Sequence, residues 1–216
     1  MTQWRGVVGV GAAAMACLVM LAVTTRGFRV LTTDDARADA VAAHPVALPR
    51  IALIDMQGEP QTLWVPDRST IIDFVYTRCP TMCGALGGEY QQLQERVHVR
   101  GLADRVRLLT VSFDPTWDTP ARLRAYATLM RPNPAIWTLA TLPDTALLAR
   151  MLDAFGVRVI ADGANGFTHN AALHVVDRYG QLVAIVPVTA PDDALDAAVI
   201  ASAVTAVASA ARPGAR

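Results

Sequence analysis

Apolar positions recur along this chain in three ways, and each predicts a different kind of element. The first is an unbroken run. From Gly6 to Thr25 the sequence "GVVGVGAAAMACLVMLAVTT" is uncharged, between Arg5 on one side and Arg26 and Arg29 on the other. As a helix it spans roughly 30 Å, the thickness of a bilayer core, and it predicts a membrane anchor. The second is a series of strand-length apolar stretches bounded by turn residues. "IALIDMQGEPQTLWV" predicts a hairpin around Gly58, Glu59 and Pro60, "TIIDFVYT" (70–77) a buried strand, and "VRLLTVSF" (106–113) the next one. "IWTLA", "VRVI", and the pair "AALHVVD" and "QLVAIV" around "RYGQ" continue the series. The third is helical spacing. Leu86, Tyr90, Leu93 and Val97 predict a helix from about Pro80 to Val97. "DTPARLRAYATLM" opens with Thr119 as N-cap and Pro120 at the first helical position, where a missing N–H costs nothing. "DTALLARMLDAF" and the alanine-rich stretch from Asp192 to Ala211 complete the set.

Strand, helix, strand, helix, then a hairpin and a closing helix is the order of an α/β domain of thioredoxin-like fold. Its central mixed sheet is flanked by helices, with parallel strands first and antiparallel ones last. The predicted organisation is an N-terminal transmembrane helix within residues 1–29, a tether at 30–47, and the domain at 48–211. The tether reading rests on residues 26–50, which mix charge, alanine and proline without a sustained period. The leading "MTQWR" is a charged n-region, so a signal peptide competes with the anchor; the run is long for a cleaved signal and its small-residue cleavage site is poor, which favours the uncleaved span. Arginines on both flanks give the positive-inside rule no direction. Cys17 falls mid-helix and reads as a membrane-buried thiol rather than a lipidated one.

Composition narrows the function. The formal charge is zero, and all nineteen basic residues are arginines dispersed along the chain, which argues against nucleic acid as a partner. Without lysine there is no Schiff-base chemistry. Three cysteines in 216 residues do not make a disulfide scaffold, so Cys79 and Cys83 need their own account.

In "CPTMC" the two cysteines stand four apart at the start of a helix, on one face, where both sulfurs can meet one ion or, with adjustment, each other. The helix N-terminus favours thiolates, the form that binds metal and also attacks disulfides. The motif is one residue longer than the redox Cys-x-x-Cys, which suits a soft ion held by both sulfurs. Two thiolates suit copper(I), and an imidazole added to them extends the site to copper(II). Of the four histidines, His44 lies in the tether and His98 at a helix end. His169, in "NGFTHN", is the better candidate; His174, five residues on, points the other way in a regular strand.

Three segments, "DFVYTRCPTMC", "VRLLTVSFDPTWDTPARLRAYA" and "FTHNAALHVVDRYGQLV", together resemble the Sco/SenC family of membrane-anchored, thioredoxin-like copper proteins. The resemblance covers residues 48 to about 210. It implies that Cys79, Cys83 and His169 bind copper, and that the protein delivers copper to the CuA centre on subunit II of cytochrome c oxidase. It also implies a single span in the bacterial inner membrane with the domain in the periplasm. Some members instead reduce thiols of subunit II or of another copper chaperone; that alternative makes Cys79 and Cys83 a redox pair. Asp114 matches an acidic residue near the family's site, and is equally a turn residue before Pro115. Three positions depart from the family pattern: Gly84 replaces a proline, Thr168 an aspartate that could orient the imidazole, and Asn170 a serine or threonine.

Overall fold

The structure, a computed structural model, describes residues 14–25, 27, 31–78, 82–163 and 166–210, without the side chains of 82–87 and 204–210. Residues 14–24 are helical (α1). No helix among the described residues is long and apolar enough to cross a membrane. The first half of the expected span, Gly6 to Ala13, lies outside them.

The remaining elements follow in the order α2 (Thr33–Ala43), β1 (Val46–Ala47), β2 (Ala52–Asp55), β3 (Pro60–Thr62), β4 (Ser69–Val75), α3 (Met82–Val99), β5 (Val106–Ser112), α4 (Pro120–Met130), β6 (Trp137–Thr141), α5 (Leu148–Phe155), β7 (Val159–Ala161), β8 (Phe167–His169), β9 (Ala172–Val176), β10 (Gln181–Pro187) and α6 (Pro191–Ala210). Eight strands form one sheet in the order β1-β10-β9-β4-β5-β6-β2-β3. The β4–β5 and β5–β6 pairs are parallel, and the others are antiparallel. β4 and β5 are buried along their whole length, as strands covered on both faces must be. β7 and β8 stand apart as a two-stranded hairpin.

Alternation along β4 sorts its side chains between two cores. Ile72, Phe74 and Tyr76 pack with Phe113, Met151 and Phe155 on the face covered by α2 and α5. Ile71 packs with Tyr90, Leu93, Val97, Trp137 and Leu195 on the face covered by α3, α4 and α6. The periodic positions expected for α3 are thus the buried ones; Leu86 belongs to the part whose side chains lie outside the described residues. Thr119 caps α4 with Pro120 following it, as its sequence predicts, although its hydroxyl makes no cap hydrogen bond.

The segment read as a tether is corrected by the structure. Residues 33–43 form α2, closed at its N-terminus by a reciprocal capping box in which the Thr32 hydroxyl accepts from the Asp35 N–H and the Asp35 carboxylate accepts from the Thr32 N–H. Val41 is 1% exposed in the core, and β1 pairs with β10. α2 shows no helical period because it has almost no apolar stripe, and a cap and polar contacts hold it instead.

Burial shifts the pKa values of two titratable groups in the sheet. His174, opposite Ile72 on β9, stands edge-on to Phe74 and Phe155, and burial pushes its pKa down to about 4. Asp73, on the opposite face of β4, is 1% exposed, and burial pushes its carboxyl up from 3.8 to about 7, against smaller contributions from Thr110 and Tyr90 that lower it. Because its folded value is the higher one, its protonation stabilises the fold fully below about pH 4, and this contribution is lost as pH rises through about 7. Asp73→Asn is therefore expected to gain on the wild type in urea unfolding as pH rises, by a few kcal/mol at pH 8, on the order set by a three-unit shift. The His174 contribution runs the opposite way and cancels in this difference; parallel pH profiles for the two proteins would refute the assignment.

Candidate functional site

Strand β4 runs out through Tyr76, Thr77 and Arg78 toward Cys79, and each of these three residues is fixed by a different kind of contact. Tyr76 carries its ring into a cluster with Phe113, 5.4 Å between centroids, and Phe167, 5.2 Å. Its hydroxyl donates to the Phe167 carbonyl at 3.0 Å and accepts the Phe167 N–H at 3.1 Å. One side chain thus closes both backbone groups of a residue two positions before His169. Thr77 is held by Asp118, which accepts from its N–H at 3.0 Å and also from its hydroxyl. Asp118 is fully buried and takes a further hydrogen bond from the Ser112 hydroxyl at 2.5 Å. Arg78 donates to Asp114 at 2.5 Å, and its guanidinium lies 4.5 Å from the centroid of the Trp117 ring, against which Arg122 also stacks, at 3.3 Å.

Asp114 is the turn residue that its place before Pro115 predicts. It accepts from Arg78, and it also organises its own turn, accepting from the Thr116 hydroxyl at 2.9 Å while its carbonyl receives the Trp117 and Asp118 N–H groups. The whole "FDPTWDT" loop therefore serves as a socket beneath the residues that lead into the cysteine motif.

His169 ends β8, paired with Val159, and its ring lies 5.0 Å from Phe113. It is half-buried, and burial lowers its pKa below 6.5, outweighing a hydrogen bond to Asn170 that raises it. The imidazole is neutral at neutral pH, the state required of a metal ligand. Its Nδ1 is buried with no hydrogen-bond partner among the described residues. Where the family pattern has an aspartate, Thr168 offers this nitrogen nothing comparable. Arg78, which precedes Cys79 in sequence, and Phe167 line one pocket with Ala161, Gly163 and Gly166, so the end of β4 and the β7–β8 hairpin share a surface.

Cys79 and the side chain of Cys83 lie outside the described residues; Cys83 is in the first turn of α3. Among the described residues no group of three potential ligands clusters for a metal. His174, set aside in the sequence, is in the core. It lies on a different strand from His169, so the two diverge through strand order rather than alternation along one strand. Tyr76, Asp118, Trp117 and Arg122 are the residues that sequence reasoning left without a role. The pattern "D-P-x-x-D" contained Asp118, but nothing local showed that its second aspartate turns inward.

A mixed sheet with parallel β4, β5 and β6 at its centre, helices on both faces and a site at the C-terminal end of β4 defines a thioredoxin-like domain. The SCO1/SenC family profile matches residues 50–205, and the chain belongs to that family. Solved structures agree at the level of fold. A Sco-family cytochrome c oxidase assembly protein, BsSco, in which a disulfide switch is described, superimposes with a TM-score of 0.65 at 19% identity, covering 74% of this chain and 95% of its own. A SCO1/SenC family lipoprotein of Bacillus anthracis gives 0.63 at 20% identity, covering 71% and 95%. Yeast Sco1 with copper bound gives 0.60 at 19% identity, covering 78% and 96%.

Asp118→Ala is expected to leave the Thr77 N–H and two hydroxyls without their buried acceptor, at a cost of about 2–4 kcal/mol in chemical denaturation. Asp118→Asn, which keeps an acceptor oxygen, should recover part of that loss. An alanine variant as stable as the wild type would show that the socket does not hold the strand end.

Proposed function

We propose that this protein is a copper-delivery protein that holds one copper ion through Cys79, Cys83 and His169 and passes it to the CuA centre on subunit II of cytochrome c oxidase. The observation that carries this reading is the state of His169: a neutral, half-buried imidazole with an unpartnered nitrogen, on a hairpin that Tyr76 ties to the strand leading into Cys79. Membership of the SCO1/SenC family supports it, as do the copper held by yeast Sco1 and the oxidase-assembly role of BsSco. Copper is the cargo. Two thiolates satisfy its monovalent form, and the imidazole adds the nitrogen donor that the divalent form favours. In this reading the N-terminal apolar segment is an uncleaved anchor in the bacterial inner membrane and the domain works in the periplasm. The lipoprotein from Bacillus anthracis is a membrane-tethered precedent in the family.

A second reading, a thiol-disulfide oxidoreductase acting on subunit II or on another copper chaperone, draws support from Arg78. Arg78 precedes Cys79 in sequence, and a cation brought close to a thiol favours the thiolate. The disulfide switch of BsSco is in the same vein.

Copper(II) titration is expected to give a sulfur-to-metal charge-transfer band at one ion per chain, absent in Cys79→Ser. His169→Ala should weaken copper(II) binding about tenfold or more while leaving copper(I) binding nearly unchanged, since two thiolates still satisfy the softer ion. Complementation of a deletion strain at limiting copper separates the two readings. Full rescue of oxidase activity by His169→Ala, with none by Cys83→Ser, would sink the carrier reading and leave the redox one. For the anchor, mass spectrometry of the membrane fraction should find the mature N-terminus before Gly6; a soluble form beginning between Thr24 and Val30 would overturn it.

A further inference from the structure

The base of the hairpin that carries His169 is closed by two residues, one on each side. Arg158 precedes β7 and Asn170 follows β8. The Arg158 N–H donates to Asn170 Oδ1 at 2.7 Å, directly beyond the Val159–His169 pair. The Asn170 amide donates to the Gly156 carbonyl at 3.1 Å and to Asp34 Oδ1 at 3.3 Å. Asp34 is in the first turn of α2, and the same oxygen accepts from the Arg158 guanidinium at 2.6 Å. One turn further along α2, Arg37 donates to the Ala154 carbonyl at 2.8 Å and the Phe155 carbonyl at 3.3 Å. These carbonyls lie at the C-terminal end of α5, where helix carbonyls lack intrahelical partners. Gly156 takes a left-handed φ of 70° there, and any Cβ would run into the Arg37 side chain. Helix α2 therefore grips the segment from α5 to the end of β8 at both ends.

Stability alone does not explain this arrangement. The Asp34–Arg158 pair is about half exposed, and such pairs contribute little to folding free energy. The amide of Asn170 does more, because its oxygen and its nitrogen both hold partners on either side of the backbone next to His169. A ligand's position matters most for an ion with a strong geometric preference, and copper(II) has one where copper(I) on two thiolates does not.

We propose that Asn170 and Asp34 are positioning residues for His169, and that α2 is a strap which holds the imidazole in the geometry copper(II) requires. This rests on the copper reading above. Removing the strap loosens the divalent ion selectively, because it displaces the nitrogen donor and leaves the thiolates alone. Partners that Thr168 fails to supply to the ring itself are replaced, one residue on, by partners that fix its backbone.

The test uses the full chain in detergent, with copper(II) sulfate, and with copper(I) presented in competition with a chromophoric chelator. Asn170→Ala and Asp34→Ala should each weaken copper(II) binding about tenfold, as loss of partners that orient a ligand commonly does, and shift the charge-transfer band. Copper(I) affinity should stay within about twofold of wild type, in keeping with its tolerance of site geometry. Asp34→Asn keeps an acceptor oxygen and should retain copper(II) binding, which distinguishes position from charge. Unchanged copper(II) binding in both alanine variants overturns the strap while the copper reading stands. An equal loss for both oxidation states overturns it too, because the effect is then general destabilisation. A wild type that binds no copper overturns the copper reading and the strap together.

Discussion

The two-way hydrogen bond between the Tyr76 hydroxyl and the Phe167 backbone is the contact on which the arrangement of this site depends. β7 and β8 form no ladder with the main sheet, so nothing in the strand pairing places His169 relative to the cysteine motif. One phenol does much of that placing: it is buried between Phe113 and Phe167 and satisfies both polar groups of a residue that would otherwise face an apolar cluster. Tyr76 is also the last buried position before the chain turns toward Cys79. The same side chain thus terminates the central strand and locates the hairpin.

Asp118, Asp73 and His174 are all buried, and their environments differ in a telling way. Asp118 has hydrogen-bond donors converging on it from Thr77 and Ser112. Asp73 is buried among apolar neighbours, and that burial raises its pKa, against smaller hydrogen-bond contributions that lower it. His174 is enclosed by two phenyl rings and stays neutral. Only Asp118 belongs to the architecture of the strand end. The other two impose opposite pH dependences on the fold without touching the contacts that hold Thr77 and Arg78.

Much of this was legible in the sequence, for a physical reason. β4, β5, α3 and α4 are buried by large apolar side chains at the period of their own secondary structure, so pattern and burial coincide at Ile71, Leu108, Tyr90 and Leu123. His169 was read at the entry to the strand that follows it, and it instead ends β8, a short strand of its own. What could not be read are contacts between segments distant in sequence, made by polar groups with no period: Tyr76 to Phe167, Asp118 to Thr77, Asp34 to Asn170. α2 failed for the same reason. Its stability comes from a capping box and from Arg37 reaching α5, and only Val41 marks its buried side.

The departures from the family pattern at Thr168 and Asn170 acquire a common explanation when the hairpin is considered as a whole. An aspartate before the histidine can fix an imidazole by bonding the ring, which also raises its basicity. Here the ring nitrogen is left unpartnered and desolvated, and its proton affinity falls. A less basic imidazole is less often protonated at neutral pH and so loses less to proton competition when it takes a metal, and the ring is bonded by the Asn170 backbone rather than by a carboxylate. Direction must then come from the backbone. Asn170, whose amide spans Arg158, Gly156 and Asp34, is longer than the serine or threonine it replaces and is the shortest side chain that offers a donor and an acceptor on separate atoms. The two substitutions are thus complementary: one removes control of the ring by a carboxylate, and the other restores control through the chain that carries it.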